Sequence, residues 1–170
     1  MFRAVVLIAA VVLAADQLTK YWAESALSDG QTITVVGELL QLRLVYNPGA
    51  AFSIGAAYTW IFALFAAAAV VAVTVVARRV TSRAWAVALG LVLGGATTHL
   101  LDRLFREPGF ARGHVVDFID YAGFFVGNVA DIALVVGVGV VMVLNLRGIP
   151  LRETATSGGD RSGEQVASSS

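Results

Sequence analysis

The sequence contains no cysteine, which excludes disulfide bonds, thiol catalysis and cysteine-based metal sites. Its two histidines, His99 and His114, make a weak metal site by themselves. The motifs Gly-x-Ser-x-Gly and His-Glu-x-x-His are also missing, which argues against two common kinds of hydrolase, those based on a nucleophilic serine and on zinc. No feature of the sequence indicates a metal or another cofactor, and we expect none.

Charge is scarce as well. Charged residues make up 14% of the 170 residues, whereas a soluble domain carries about 25%. The 12 basic and 12 acidic residues cancel, and this argues against nucleic acid as a partner, because a phosphate binder needs a basic excess. Hydrophobic residues reach 58% and the mean hydropathy is +0.78, so most of the chain is unsuited to water.

The sequence contains several long apolar runs. Four of them approach the ~20 residues that cross a bilayer as a helix, and in lipid the backbone must satisfy its own hydrogen bonds. They cover approximately 5–22, 58–77, 84–101 and 124–146. The predicted fold class is an all-α membrane protein with four transmembrane helices. We expect one membrane-embedded domain over 1–150 and a disordered cytoplasmic tail over 151–170, where Ser, Gly and charged residues dominate.

The first apolar run has a second interpretation. Arg3 followed by an apolar stretch that ends in small residues is also typical of a secretory signal peptide. The run continues past Asp16, however, to Tyr21 and Trp22. Interfacial aromatic residues are typical of a helix end that stays in the membrane, so the sequence favours a permanent helix.

The connections predict a β-structured patch and an orientation. Within the connection 24–57, the segments 32–36 and 39–45 have the composition of strands. The short connection after the second run holds Arg78, Arg79 and Arg83 without an acid, which favours a cytoplasmic location for it and for both termini. The patch over 24–57 and the loop 104–123 then face outward.

Several polar residues occur at positions where a membrane environment is unfavourable for them. Placing a charge at the centre of the bilayer costs about +2.5 to 3.5 kcal/mol of free energy. Asp131 lies about two turns inside the fourth run, with Asn128 three residues before it. Asp16 and Lys20 are four residues apart and can pair on one helix face. Asp117 has apolar neighbours, which would raise its pKa.

Two carboxyl groups that lie close together share a proton and can perform general acid–base hydrolysis. The sequence does not show that Asp117 and Asp131 meet. A proton-coupled transporter that uses Asp16, Asp131 and Arg103 is one alternative. A non-catalytic assembly factor that uses Gly94 and Gly95 for helix pairing is another.

The motifs, in their order, resemble those of the lipoprotein signal peptidases, or signal peptidase II, the bacterial aspartyl proteases of prolipoproteins. The matching residues are Asp16-Gln17-x-x-Lys20, Asn47-x-Gly49-x-x-Phe52, Gly94-Gly95 with Asp102-Arg103, Val116-Asp117-Phe118 and Asn128-x-Ala130-Asp131. The resemblance implies that Asp117 and Asp131 are the catalytic dyad. It also implies that Asn47, Gly49, Arg103 and Asn128 line the site, that Asp16 and Lys20 support it, and that 24–57 is an extracytoplasmic β-cradle.

The resemblance also supplies the expected biology. The substrate would be a prolipoprotein signal peptide that carries a diacylglyceryl-cysteine, cleaved just before that cysteine. The protein would be a multi-pass protein of the bacterial cytoplasmic (inner) membrane, in contact with membrane lipid, monomeric, and with its active site toward the outer surface. One position departs from the family, since His99 stands where an Asn is usual. Because His can donate and accept hydrogen bonds as Asn does, we expect His99→Asn to leave activity largely intact.

Overall fold

The structure, a computed structural model, describes residues 1–49 and 58–152. The elements in chain order are α1 (Phe2–Ala26), β1 (Thr32–Val36), β2 (Leu40–Asn47), α2 (Thr59–Ala77), α3 (Arg83–Phe105), β3 (Val115–Tyr121), β4 (Phe125–Gly127) and α4 (Val129–Leu146). The motif residue Phe52 and the predicted tail from residue 153 onward lie outside the described residues.

The four predicted spans are confirmed. Each of the helices α1 to α4 is long and apolar enough to cross a membrane, by length and composition. Helix α1 runs without a break from Phe2 to Ala26, and its residue Val5 is fully buried in a cluster with Ala77 of α2 and Trp85 of α3. This packing favours α1 as a permanent part of the bundle over a removable leader.

Helix α4 begins five residues later than the predicted fourth run, at Val129 instead of 124. The reason is a capping box: the Asn128 side chain accepts a hydrogen bond from the Asp131 backbone, and the Asp131 side chain accepts one from the Asn128 backbone. Asp131 therefore lies in the first turn of the helix, not two turns inside it. That position lowers the free energy of burying a carboxylate, because unpaired N–H groups point toward it there.

The β-structure is larger than the predicted patch. A four-stranded antiparallel sheet has the order β1-β2-β3-β4. The connection 24–57 supplies β1 and β2, as predicted. Strand β3 comes from the loop 104–123, where no strand was predicted, and β4 comes from the start of the predicted fourth run. Pairing with β2, which is distant in the sequence, is what makes this second loop a strand.

Strand β2 carries a bulge beside the site. The pairs Leu42↔Ile119 and Val45↔Asp117 leave Arg43 and Leu44 both opposite Phe118. A bulge of this kind bends a strand and redirects its side chains, and bulges are frequent next to functional sites. Beyond the bulge the pairing continues to the end of β2, at Asn47.

Small residues, among them Gly94 and Gly95 of α3, let the helices of the bundle approach closely. A Cβ on Gly94 would lie 2.6 Å from the Cβ of Val12 in α1. A Cβ on Gly95 would lie 2.6 Å from the Cγ of Leu134 and 2.9 Å from the backbone oxygen of Ala130, both in α4. Helix α3 is thereby held against α1 on one side and α4 on the other.

We predict that Gly95→Ala destabilises the protein by about 1 to 3 kcal/mol, the usual range for overpacking a close contact. The added methyl group meets a backbone oxygen that cannot rotate away. Thermal unfolding of the purified protein in detergent measures the effect. Gly139→Ala in α4 is the matched control, because a Cβ there meets nothing within 4 Å. Equal unfolding temperatures for the two variants would contradict the prediction.

Candidate active site at the end of the helix bundle

A pocket of about 240 Å³ lies where α2, α3 and α4 meet the sheet. Six of the nine site residues predicted from the sequence line it: Asn47, Gly49, His99, Arg103, Asp117 and Asp131. The other three, Asp16, Lys20 and Asn128, are fully buried beside it. Phe62, Ala66, Val115 and Phe125 complete the lining and were not predicted.

Asn128 links the two aspartates. Its Nδ2 donates to Asp117 Oδ1 at 2.7 Å, and its Oδ1 accepts from the backbone nitrogen of Asp131 at 3.0 Å. The backbone nitrogen of Asn128 in turn donates to Asp131 Oδ2 at 2.9 Å. One buried residue therefore fixes both carboxyl groups on the same pocket.

Asp117 is held in strand β3 between two amides. Asn47 Nδ2 donates to its Oδ2 at 3.0 Å, and Asn128 donates to its other oxygen. The residue is only 3% exposed. Burial raises the pKa of Asp117 to about 6, with a further rise from the neighbouring charge of Asp131, against the lowering effect of the Asn47 and Asn128 hydrogen bonds. Near neutral pH this carboxyl group can exist in either protonation state.

Asp131 occupies a different environment. Its side chain is 29% exposed, and its Oδ1 lies 3.1 Å from Nε2 of His99. It also sits in the first turn of α4, where the helix dipole favours a negative charge. Two carboxyl groups in such unequal surroundings are suited to different roles, one ionised and one protonated.

Arg103 holds the backbone of the Asn47-Pro48-Gly49 segment. Its Nη1 donates to the carbonyl oxygens of Asn47 and Pro48, each at 3.0 Å, and to that of Gly113 at 3.1 Å. Its Nη2 donates to the carbonyl oxygen of Gly49. The guanidinium thus orients Asn47, whose side chain reaches Asp117. The sequence had predicted a lining role for Arg103 but not these four carbonyl partners.

A buried ionic network lies behind the pocket. Lys20 Nζ is 2.6 Å from Asp16 Oδ2 and 2.7 Å from Asp102 Oδ2, and the three side chains are 0%, 0% and 1% exposed. The predicted Asp16–Lys20 pair is therefore present, but Lys20 serves a second carboxylate as well. Arg106 neutralises that second carboxylate from its other side, with Nε 2.8 Å from Asp102 Oδ1.

The ionic network also accepts hydrogen bonds from the backbone beside each of the two site aspartates. Asp16 Oδ1 accepts a hydrogen bond from the backbone nitrogen of Ala130 at 2.9 Å, one residue before Asp131. Asp102 Oδ2 accepts from the backbone nitrogen of Val116 at 3.3 Å, one residue before Asp117. Lys20 therefore holds together the two carboxylates that anchor the two halves of the site.

Sequence reasoning missed three residues that shape this site. Asp102 was part of a matching motif but was not named as a site residue, although an acid directly after an apolar run was a signal. Gly127 has no room for a side chain, since a Cβ there would lie 2.9 Å from Asp131 Oδ2. Gly113 likewise approaches the end of α3, with a Cβ position 2.1 Å from the oxygen of Asp102. Neither glycine stood out in the sequence.

The fold and the site define a multi-pass membrane protein with a pair of unequal carboxyl groups in a pocket at one end of its helix bundle. A family model described as signal peptidase (SPase) II matches residues 8–147. The chain belongs to the signal peptidase II family, and it is a peptidase of the bacterial membrane.

Relatives from several bacteria are similar over most of this chain. A lipoprotein signal peptidase of Leifsonia xyli subsp. xyli is 49% identical over 152 residues, which cover 87% of this chain and 70% of that protein. One from Bifidobacterium longum subsp. infantis is 49% identical over 143 residues, covering 84% and 78%. One from Mycolicibacterium smegmatis is 43% identical over 164 residues, covering 96% and 68%.

Two solved structures of bacterial membrane enzymes share the fold. One superposes with a TM-score of 0.75 at 26% identity and covers 88% of this chain and 93% of the solved chain. The other has a TM-score of 0.72 at 28% identity, with coverage of 84% and 92%. The four helices and the sheet thus belong to an architecture that experiment has observed.

We predict that Lys20→Met destabilises the protein by about 3 to 5 kcal/mol, because it leaves the buried carboxylates of Asp16 and Asp102 without their shared cation. The double variant Lys20→Met with Asp16→Asn should recover part of this loss, since Asp102 keeps Arg106. Chemical denaturation in detergent micelles measures both. A double variant that is no more stable than Lys20→Met alone would argue against the charge explanation.

Proposed function

We propose that this protein is an intramembrane aspartyl endopeptidase that removes the signal peptide from diacylglyceryl-modified prolipoproteins by cutting just before the lipidated cysteine. The observation that carries the proposal is the pair Asp117 and Asp131, two carboxyl groups on one pocket that are linked by a single buried amide, Asn128. The substrate class rests on the relatives named lipoprotein signal peptidase.

In the mechanism we propose, Asp131 starts ionised and Asp117 starts protonated. Asp131 takes a proton from water while the water oxygen attacks the scissile carbonyl carbon, and Asp117 gives its proton to the carbonyl oxygen. The tetrahedral intermediate then collapses: the leaving nitrogen takes the proton from Asp131, and Asp117 regains its proton from the hydroxyl group. Atoms and charges balance, and the enzyme returns to its starting state. The contacts of Asp131 with His99 and with the start of α4 support its ionised form.

The other site residues orient these groups and the peptide. Asn47 and Asn128 fix the two oxygens of Asp117, while Arg103 holds the segment that carries Asn47. Phe62 and Ala66 of α2 give the pocket an apolar wall, which we place at bilayer depth. A substrate that consists of an apolar helix and two acyl chains would enter there from the surrounding lipid, while water reaches the dyad from the sheet.

The proposed orientation puts the site at the outer surface of the cytoplasmic membrane. Arg78 and Arg79, in the turn between α2 and α3, and Arg83, the first residue of α3, lie at the opposite end of the bundle. Positive residues in short connections favour the cytoplasmic side. The start of α1 and the end of α4 pack beside this turn, since Val5 and Leu144 share a buried cluster with Ala77 and Trp85. The protein would work as a monomer, and its equal numbers of basic and acidic residues argue against a nucleic-acid partner.

Asp117→Asn and Asp131→Asn should each reduce cleavage by about 10² or more, because each removes one half of the general acid–base pair. The assay is cleavage of a diacylated prolipoprotein by the purified protein in detergent. Asp29→Asn, at an exposed turn, is the control and should cleave normally. Unfolding temperatures near that of the wild type would establish that the inert variants are folded. If one variant keeps most of its rate, the dyad is misassigned; if the wild type cuts no well-formed substrate, the proposed function fails.

The value of kcat/KM should fall as the pH rises through about 6, which is the raised pKa of Asp117 in the free enzyme. The reason is that Asp117 loses the proton that it must donate. The electrostatic interaction with His99 lowers the pKa of Asp117. His99→Asn should therefore keep most of the maximal rate and move the basic limb to higher pH. Initial rates across pH for both proteins measure this. A limb that does not move, or a complete loss of cleavage in the variant, would contradict the expectation.

A further inference from the structure

Two grooves meet at Asp117. Besides the pocket described above, a second groove of about 170 Å³ opens beside the sheet. It is lined by Arg43, Val45, Asn47, Asp117, Gly123, Phe124, Phe125 and Val126. Asn47, Asp117 and Phe125 line both spaces, so the two grooves adjoin at these residues.

The two grooves are built from different parts of the fold. Phe62, His99 and Asp131 give the first one walls from α2, α3 and α4. The lining of the second comes entirely from β2, β3, β4 and the turn between β3 and β4. A chain that passed over Asp117 through both grooves would therefore lead from the membrane helices onto the sheet.

Arg43 supplies the cationic side chain of the second groove. It lies in the bulge of β2, and its Nε is 2.5 Å from Asp120 Oδ2. Asp120 is fixed in turn by the backbone nitrogen of Gly123, which donates to its other oxygen at 2.8 Å. The Arg43 side chain is 40% exposed, whereas that of Asp120 is 6% exposed. The guanidinium therefore presents positive charge to the groove, while its counter-charge lies underneath.

We propose that the second groove holds the first residues of the mature chain, directly after the lipidated cysteine, and that Arg43 makes their charge a determinant of specificity. This inference rests on the proposed function. The signal-peptide helix belongs on the membrane side of the scissile bond, so the polar mature segment belongs on the side of the sheet. A guanidinium has five N–H donors, and the contact of Nε with Asp120 leaves donors that can serve a peptide carboxylate. Acidic residues there are preferred over neutral ones, and neutral ones over basic ones.

The test uses three diacylglyceryl-modified substrates that differ only in the two residues after the cysteine: a Glu, a Gln or a Lys pair. Wild-type protein in detergent should cleave the Glu substrate with the highest kcat/KM and the Lys substrate with the lowest. Arg43→Gln should lower kcat/KM for the Glu substrate roughly two- to fivefold, mainly through KM, because an exposed ion pair contributes an effect of that size. Cleavage of the Gln substrate should change little. The preference should also weaken at high ionic strength.

Two further variants separate recognition from a structural role. Arg43→Glu should invert the order so that the Lys substrate is preferred, which loss of a structural contact would not do. Asp120→Asn removes the partner of Arg43 but keeps the cation, so the preference for the Glu substrate should persist or grow. Equal losses of kcat/KM on all three substrates in the Arg43 variants would overturn the inference. Arg43 and Asp120 would then form an ion pair with a structural role alone. A wild type that cleaves all three substrates equally would also overturn it, with the proposed function intact. A wild type that cleaves none would overturn both.

Discussion

The structure depends on one buried cation. Lys20 lies between Asp16 and Asp102 with essentially no exposure to solvent, and the two carboxylates would be very costly to bury without it. The same carboxylates accept backbone hydrogen bonds from Ala130 and Val116. The ammonium group thus joins α1, α3, α4 and β3 at a single point. An apolar contact could hold helices together, but it could not orient the chain beside Asp117 and Asp131 in this way, since hydrophobic packing has no direction.

The two aspartates differ because they stand on different kinds of backbone. Asp117 projects from a strand, and two amides hydrogen-bond to its carboxyl group. Burial is the dominant influence on its pKa. Asp131 stands in the first turn of a helix, with an imidazole beside it and a backbone N–H on its carboxylate. Unequal surroundings of this kind allow one carboxyl group to stay protonated while its neighbour is ionised. Asn128, which caps the helix and binds both residues, connects the two environments.

The sheet and the helix bundle meet at the pocket. The four strands come from two loops that are far apart in the sequence, and they close over the end of the helix bundle. Arg103 attaches the end of β2 to α3 through carbonyl oxygens, so the sheet and the helices share one rigid junction at the pocket.

The amino-acid sequence by itself determined the four spans, the family resemblance and the set of polar residues that a membrane should not contain. These follow from local properties, because the length and apolarity of a run decide whether it crosses a bilayer. Only the tertiary structure decided which polar residues meet. Strand β3 exists because β2 pairs with it, and Lys20 has two partners because α3 lies against α1. Each of these contacts joins residues that are far apart in the sequence, and the local sequence around one residue does not indicate its partner. Hydrogen bonds and ion pairs between distant segments depend on packing that only the folded chain provides.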